Sequence, residues 1–201
     1  MTGASSATAK RLTRLISRII AVKRVSVFCM DDALQVADVR PSIPVEIIPI
    51  EPSNVHRVAD FRQETNHVAI FRRMLAEGER GVYALVDQKV AGHAWARLST
   101  KEPFLYEGYL DVPPGHALVH YCNVKDTLRG KGIYPTMLTA LCQCLFSECS
   151  VRMILIDSGT RNLASIRGIL KAGFVHRADI LCIRACGRRL NIHRGRTRTG
   201  S

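Results

Sequence analysis

A β-like run over residues 116–124 leads through a short connection into Arg129-Gly130-Lys131-Gly132, and from there directly into a helical stretch over 132–148. This order of strand, glycine loop and helix constrains the chain more than any other segment. Met137, Leu138, Leu141, Cys142 and Leu145 share one face of the helix, which must therefore lie on a core. The start of a helix presents backbone N–H groups with no partner inside the helix, and the aligned peptide dipoles add partial positive charge there. Gly130 and Gly132 carry no β-carbon, so an anion can come close to the backbone. Arg129 and Lys131 add formal charge. The segment suits a phosphate or pyrophosphate. It is neither a G-x-x-x-x-G-K-[ST] loop nor a G-x-G-x-x-G turn, which excludes the Walker and Rossmann sites. On spacing alone, the run also reads as a glycine-rich turn with two solvated cations.

The elements around this segment predict an α/β (α+β) fold. Downstream, a short buried strand over 153–156 precedes a helix over 162–171 closed by Gly173, a C-cap signal, and a β segment over 174–185. Upstream, β-like runs cover 24–30 and 45–50. Ser53 offers an N-cap for a helix reaching about 63, and a second helix spans 66–77. Strands over 82–86 and 90–98 flank Asp87-Gln88-Lys89 as a hairpin. Residues 99–115 read as a long connection rich in proline, a kind of loop that often carries function. Strands and helices in this order predict one domain, a mixed central sheet flanked by helices, and 201 residues suit one domain. The expected organisation is a basic amphipathic helix over 1–24, the domain over 25–187, and a basic disordered tail over 188–201.

Charge and cysteine content narrow the partners. The chain is 47% hydrophobic and 23% charged, with a net charge of +12. That excess is compatible with anionic ligands, nucleic acid or acidic membrane surfaces. No helix-turn-helix, zinc or aromatic-strand signature accompanies it, so no specific nucleic-acid partner is expected. Seven cysteines in a chain this long do not form a disulfide framework, which points to a reducing, cytoplasmic setting. Cys142 and Cys144 fall on different helix faces, so no metal site is expected. Near the N-terminus, Leu12, Leu15, Ile16, Ile19 and Ile20 recur at helical spacing, with Lys10, Arg11, Arg14 and Arg18 mostly opposite. Such a helix fits peripheral contact with the inner face of a membrane, a targeting peptide, packing on the domain, or pairing of two copies as a homodimer.

Residues 118–174 resemble the acyl-CoA-binding half of the GCN5-related N-acetyltransferase (GNAT) superfamily. The family's loop pattern is Gln/Arg-x-x-Gly-x-Gly/Ala, and Arg129, Gly132 and Tyr134 occupy its specified places; Tyr134 replaces the usual small residue. Asn162-x-x-Ser165, followed by Lys171-Ala172-Gly173-Phe174, is similar to the family's second signature. The resemblance implies a splayed pair of strands. Acetyl-CoA, the acyl donor, would enter between them, its pantetheine arm pairing with the backbone near Cys122, Asn123 and Val124. Its pyrophosphate would meet the amides of Arg129, Gly130, Lys131, Gly132, Ile133 and Tyr134, with Asn162 helping to hold the site.

The implied reaction is direct attack of an amine on the thioester. A free alkylammonium titrates near ~10, so a base is needed. His120 shares a strand face with Leu118 and Cys122 by alternation. The family places its strand base nine or eleven residues before the loop arginine; His120 is nine before Arg129, and Leu118 stands at eleven. The family's proton donor to the thiolate, a tyrosine seven residues after the helix asparagine, is replaced by Ile169. Tyr134, Tyr121 or water could stand in for it. The catalytic candidates are thus His120 and Tyr134, and Tyr106, Glu107, Tyr109 and Asp111 are candidates to line the acceptor pocket. The expected function is transfer of an acyl group from acetyl-CoA, or another acyl-CoA, to a primary amine on a small molecule. The alternatives are a sensor that binds acyl-CoA with little catalysis, and a protein N-acetyltransferase.

Overall fold

A computed structural model describes residues 20–32, 36–61, 66–185 and 188–195. Its strands in chain order are β1 (Ile20–Asp31), β2 (Glu46–Pro49), β3 (Arg80–Val86), β4 (Lys89–Ser99), β5 (Phe104–Tyr106), β6 (Leu110–Val112), β7 (His116–Val124), β8 (Met153–Gly159), β9 (Val175–Ala185) and β10 (Arg188–Gly195). Eight of them form one sheet in the order β10-β9-β1-β8-β7-β4-β3-β2, while β5 and β6 make a separate hairpin. All neighbours in the large sheet pair antiparallel except β7 and β8, which run parallel. The α-helices are α1 (Asn66–Ala76), α2 (Ile133–Glu148) and α3 (Leu163–Lys171), with short 3-10 helices at Val55–Asp60 and Asp126–Leu128.

Period-two alternation divides the sheet between two layers. On one face, Ala94, Ala96, Val119, Ile154 and Ile156 pack against Met137, Leu138, Leu141 and Leu145 of α2 and Ile169 of α3. On the other face, Tyr83 and Trp95 pack against Val55, Val58, Phe71 and Met74 of the first 3-10 helix and α1. Further along that face, the β5–β6 hairpin lays Tyr109, Leu110 and Val112 on Val25, Val27, Leu118 and Leu155. Between these layers the sheet opens where β7 and β8 part.

Several expectations about local structure are corrected. The helix expected over 1–24 does not hold for its last residues, because Ile20 to Arg24 belong to β1; residues 1–19 lie outside the described set. Val22, Val25 and Val27 are β-branched and suit a strand. The partners decide the outcome, since β1 is paired on both edges, Val25 with Gly159 of β8 and with Ile180 of β9. The tail expected to be disordered from Arg188 is strand β10, in register with β9 from Arg188↔Ala185 to Gly195↔Ala178. Leu190 and Ile192 alternate with polar neighbours there, a period-two pattern hidden by the arginines. Residues 196–201 lie outside the described set. The helix expected from Ser53 is a 3-10 turn from Val55, preceded by Asn54, whose side chain bonds Glu51 N and Pro49 O instead of capping it. Among the described residues, no helix is long and apolar enough to cross a membrane.

Candidate active site

The site begins with an interruption in the sheet. β7 and β8 pair in register from His116↔Met153 to Val119↔Ile156, and the pairing stops there. β7 continues to Val124 along β4, so the edge of residues 120–124 that faced β8 is released. The cause lies partly in β7. Its register with β4 slips between His93↔Asn123 and Trp95↔His120, so one extra residue is accommodated. Tyr121 has φ +49°, a left-handed conformation unusual for a tyrosine. Such a bulge bends its strand and re-aims it. Two contacts hold the bulge: His93 Nδ1 lies 3.0 Å from Tyr121 O, and Tyr121 Oη lies 3.2 Å from His67 Nδ1.

On the α2–α3 side the gap opens into a cleft of ≈ 440 Å³. Cys122, Asn123 and Val124 form its strand wall; Arg129, Gly130, Gly132, Ile133 and Tyr134 form its floor; Asn162 and Ser165 lie on the wall from α3. Nine of the ten residues expected around the donor thus meet at one cleft. Lys131 does not line it. Its carbonyl instead accepts from Ser42 N at 3.0 Å, which ties the loop to the segment before β2. Gly132 is the N-cap of α2 with φ +82°, and a β-carbon there would stand 3.0 Å from Pro41 Cα. Gly130 has φ +78° and open space around it. Among the described residues, the amides of Gly130, Lys131 and Gly132 make no backbone hydrogen bond. They leave the loop with unused donors for an outside acceptor. Arg129 is held by Asp126 at 2.7 Å. Asn162 caps α3, its side chain accepting from Ser165 N at 3.2 Å.

Tyr134 reaches from α2 to α3. Its hydroxyl is 3.4 Å from Ser165 Oγ, and its ring fills the space a side chain on Gly168 would need. Burial pushes the Tyr134 phenol above its ordinary value, so it keeps its proton. Burial likewise pushes the Cys122 thiol up to about 12, which makes it a poor nucleophile. Ile169, at the position of the missing tyrosine, is fully buried in the core.

The opposite side of the gap carries a second set of groups. His120 lies just past the last β7–β8 pair, and its Nε2 is 2.9 Å from Oε2 of Glu79, a buried carboxylate immediately before β3. The ring of Tyr106 stands over His120 at 6.2 Å between centroids. Burial pushes the Tyr106 phenol up to about 12. Tyr109 donates from Oη to Asp157 Oδ2 at 2.6 Å. Glu107 pairs with Lys23 at 2.8 Å, while Asp111 is exposed on β6. The connection over 99–115 therefore brings Tyr106 and Tyr109 to the gap, turns Glu107 to Lys23 and leaves Asp111 outside. Tyr121 faces α1 and does not line the cleft beside α2 and α3.

Sequence reasoning missed Glu79, Asp157, Arg167, Gly168 and Lys171. Arg167 and Lys171 line the cleft from successive turns of α3, a spacing visible in sequence once Asn162 is recognised as the cap. Asp157 shares the face of Leu155 by alternation along β8. Nothing local to Glu79 marks it; only the sheet register brings it to His120.

A family model described as "Acetyltransferase (GNAT) family" matches residues 47–174. No curated protein matches the chain in sequence. Solved structures share the fold at low identity. A putative GNAT acetyltransferase from Novosphingobium aromaticivorans is 16% identical, with 84% of this chain and 67% of that one covered at a TM-score of 0.57. A GCN5-related N-acetyltransferase from Sphaerobacter thermophilus is 15% identical, with 96% and 59% covered at a TM-score of 0.58, so the chain spans about three fifths of that protein's length. The enzyme AAC(6')-Iy, solved with the bisubstrate analog CoA-S-monomethyl-acetylneamine, is 16% identical, with 76% and 99% covered at a TM-score of 0.53. The family match covers well over half the chain and spans the parted strands, the glycine loop and the capped helix, and on that ground the chain belongs to the GNAT acetyltransferase family.

Proposed function

We propose that the protein is an acyl-CoA-dependent N-acyltransferase that acetylates a primary amine on a small molecule. The observation that carries this reading is the parting of β7 and β8, with unused loop amides on one side and the His120–Glu79 pair on the other. The residues present fit an acyl-CoA. Gly130 leaves open space beside the loop, and Arg129, Arg167 and Lys171 supply positive charge for phosphates. Bonds from such donors to charged groups are worth about 1.5–3 kcal/mol each. Cys122, Asn123 and Val124 would offer backbone groups to the pantetheine arm. When bound, acetyl-CoA supplies an activated acyl group as its thioester.

The chain's own groups then divide the proton transfers. With Nε2–H donated to the Glu79 carboxylate, Nδ1 of His120 keeps its lone pair, and Nδ1 has no hydrogen-bond partner among the described residues. His120 takes one proton from the acceptor ammonium, leaving a neutral amine that can attack the carbonyl. As the C–N bond forms, the nitrogen sheds a second proton. As the C–S bond breaks, Tyr134 passes its proton to the leaving sulfur while it takes the one that the nitrogen sheds, so no buried phenolate forms. One proton is released to solvent per turnover through His120. A backbone N–H on the freed edge of β7 would steady the developing oxyanion.

The test has two steps. Thermal stability with and without acetyl-CoA measures donor binding; at about 100 times Kd the gain is about 2.7 kcal/mol. Thiol release across a panel of amines then measures transfer. No stabilisation by any acyl-CoA would overturn the donor assignment, and stabilisation without thiol release from any amine would favour the sensor reading.

A further inference from the structure

The lip of the gap opposite His120 carries a carboxylate that the proton transfers described above do not use. The last β7–β8 pair is Val119↔Ile156, so His120 and Asp157 are the first residues to separate. Leu118 and Leu155, two residues before them, lie in the same cluster under the β5–β6 hairpin. By alternation, His120 and Asp157 face that side together. Asp157 is half-buried there.

Its contacts are one-sided. Tyr109, almost fully buried, donates its phenol to Oδ2 at 2.6 Å. The carboxylate also accepts from the Asp157 backbone N–H, but Oδ1 has no side-chain partner among the described residues. Lys23, the cation beside this pair, is 3.2 Å from Tyr109 Oη but forms its ion pair with Glu107 at 2.8 Å. A half-buried carboxylate is costly without a countercharge. Here the protein fixes one oxygen with a rigid donor and directs the nearby lysine elsewhere. Lys23 acts on Asp157 only through space, and a direct ion-pair partner has room at the gap, where the acceptor nitrogen must arrive.

We propose that Asp157 selects the acceptor: the carboxylate oxygen not held by Tyr109 receives the incoming nitrogen as an alkylammonium ion and holds it across the gap from His120. The substrate class is therefore an aliphatic amine that is cationic in solution, in preference to an aromatic amine that arrives uncharged. Tyr109 acts through Asp157 as a positioning residue, keeping the carboxylate turned toward the gap. The inference rests on the amine-acylating reading above.

The experiment compares wild type with Asp157→Asn, which keeps the shape of the side chain and an acceptor for Tyr109. KM and kcat are measured for an alkylamine and for an arylamine that is neutral at pH 7. Asp157→Asn should raise KM for the alkylamine about tenfold or more, the loss expected for one bond to a charged group. KM for the arylamine and for acetyl-CoA should stay within about twofold. Calorimetry of the alkylamine binding to protein saturated with CoA gives a readout apart from turnover, and Asp157→Asn should weaken that binding by the same factor. Tyr109→Phe should raise the alkylamine KM by a smaller factor. Equal alkylamine KM and binding in both proteins would overturn the proposal, and so would an equal loss for both amine types, which marks a structural role. If wild type acylates no amine at all, the acylation reading fails by itself, and the calorimetry still decides whether Asp157 binds an alkylammonium.

Discussion

The ring of Tyr134 on α2 lies where a β-carbon on Gly168 of α3 would otherwise stand. Glycine inside a helix usually costs about 1 kcal/mol relative to alanine, so Gly168→Ala would ordinarily stabilise α3. Here it should not. The added methyl displaces Tyr134, and overpacking of this kind costs about 1–3 kcal/mol. Thermal denaturation of Gly168→Ala, Tyr134→Ala and the double variant should reveal coupling of about 0.5 kcal/mol or more. Additive effects would separate the two residues.

Tyr134→Phe keeps this packing and removes only the hydroxyl. Turnover should fall about 10²-fold, the lower end for a positioned proton donor, while Kd for acetyl-CoA is unchanged. Substrates whose leaving thiol is more acidic should recover part of the loss, because they need the proton less.

The two loop glycines should respond differently to the same carboxylate. At Gly130 an aspartate meets open space and only its left-handed backbone (φ +78°) is strained, so Gly130→Asp costs a little stability and repels the phosphates. At Gly132 the side chain meets Pro41, so Gly132→Asp loses stability as well as binding. Melting curves with and without acetyl-CoA distinguish these outcomes: a slightly lowered melt with no ligand shift for the first, a more strongly lowered melt for the second.

His120→Ala should slow transfer by about 10²–10⁴-fold with donor binding intact. Glu79→Gln should reduce turnover by a smaller factor. The amide oxygen of the replacement can still accept from Nε2–H of His120, but it no longer steadies a protonated ring with a full charge. Single-turnover thiol release checks both. Full activity in His120→Ala would remove it as the base.

Asp157 links pH to stability. Burial, the largest influence, holds its carboxyl above the ordinary range, against the Tyr109 hydrogen bond and the Lys23 charge that pull it down. A raised carboxyl contributes stability below its unfolded value, ~3.9, and loses it as pH rises through the folded value. Asp157→Asn should therefore melt higher than wild type at pH 7 and close to it below about pH 4. Each 1 kcal/mol gained is worth about 2–4 °C at this size. A variant that gains stability while losing alkylamine binding is the signature of a residue kept for function.

The half of the site proposed to hold the donor was legible in the sequence because it is local. The glycine loop, α2, and the Asn162 cap lie within one continuous stretch, and their roles depend on helix starts that spacing reveals. The acceptor half was legible only in part. His120 stood out by its distance from Arg129, but Glu79 is 41 residues away in the chain and meets it only through the β3–β4–β7 register. The hairpin inside residues 99–115 was hidden because its strands are three residues each, too short for alternation to show. At both chain ends the charged residues misled: arginines among alternating valines, leucines and isoleucines masked the length of β1 and the existence of β10.

The placement of β1 also sets the order in which the molecule can assemble. This early strand sits inside the sheet, between β8 and β9, and cannot be paired until both of those late strands exist. Folding therefore depends on contacts of long sequence separation, which slow the search. Until β8 and β9 emerge, an apolar strand with two open edges waits on the nascent chain, the condition under which wrong pairings and aggregation arise. Its lysine and arginine at positions 23 and 24 place charge in the middle of that strand, where it discourages such pairing during the wait.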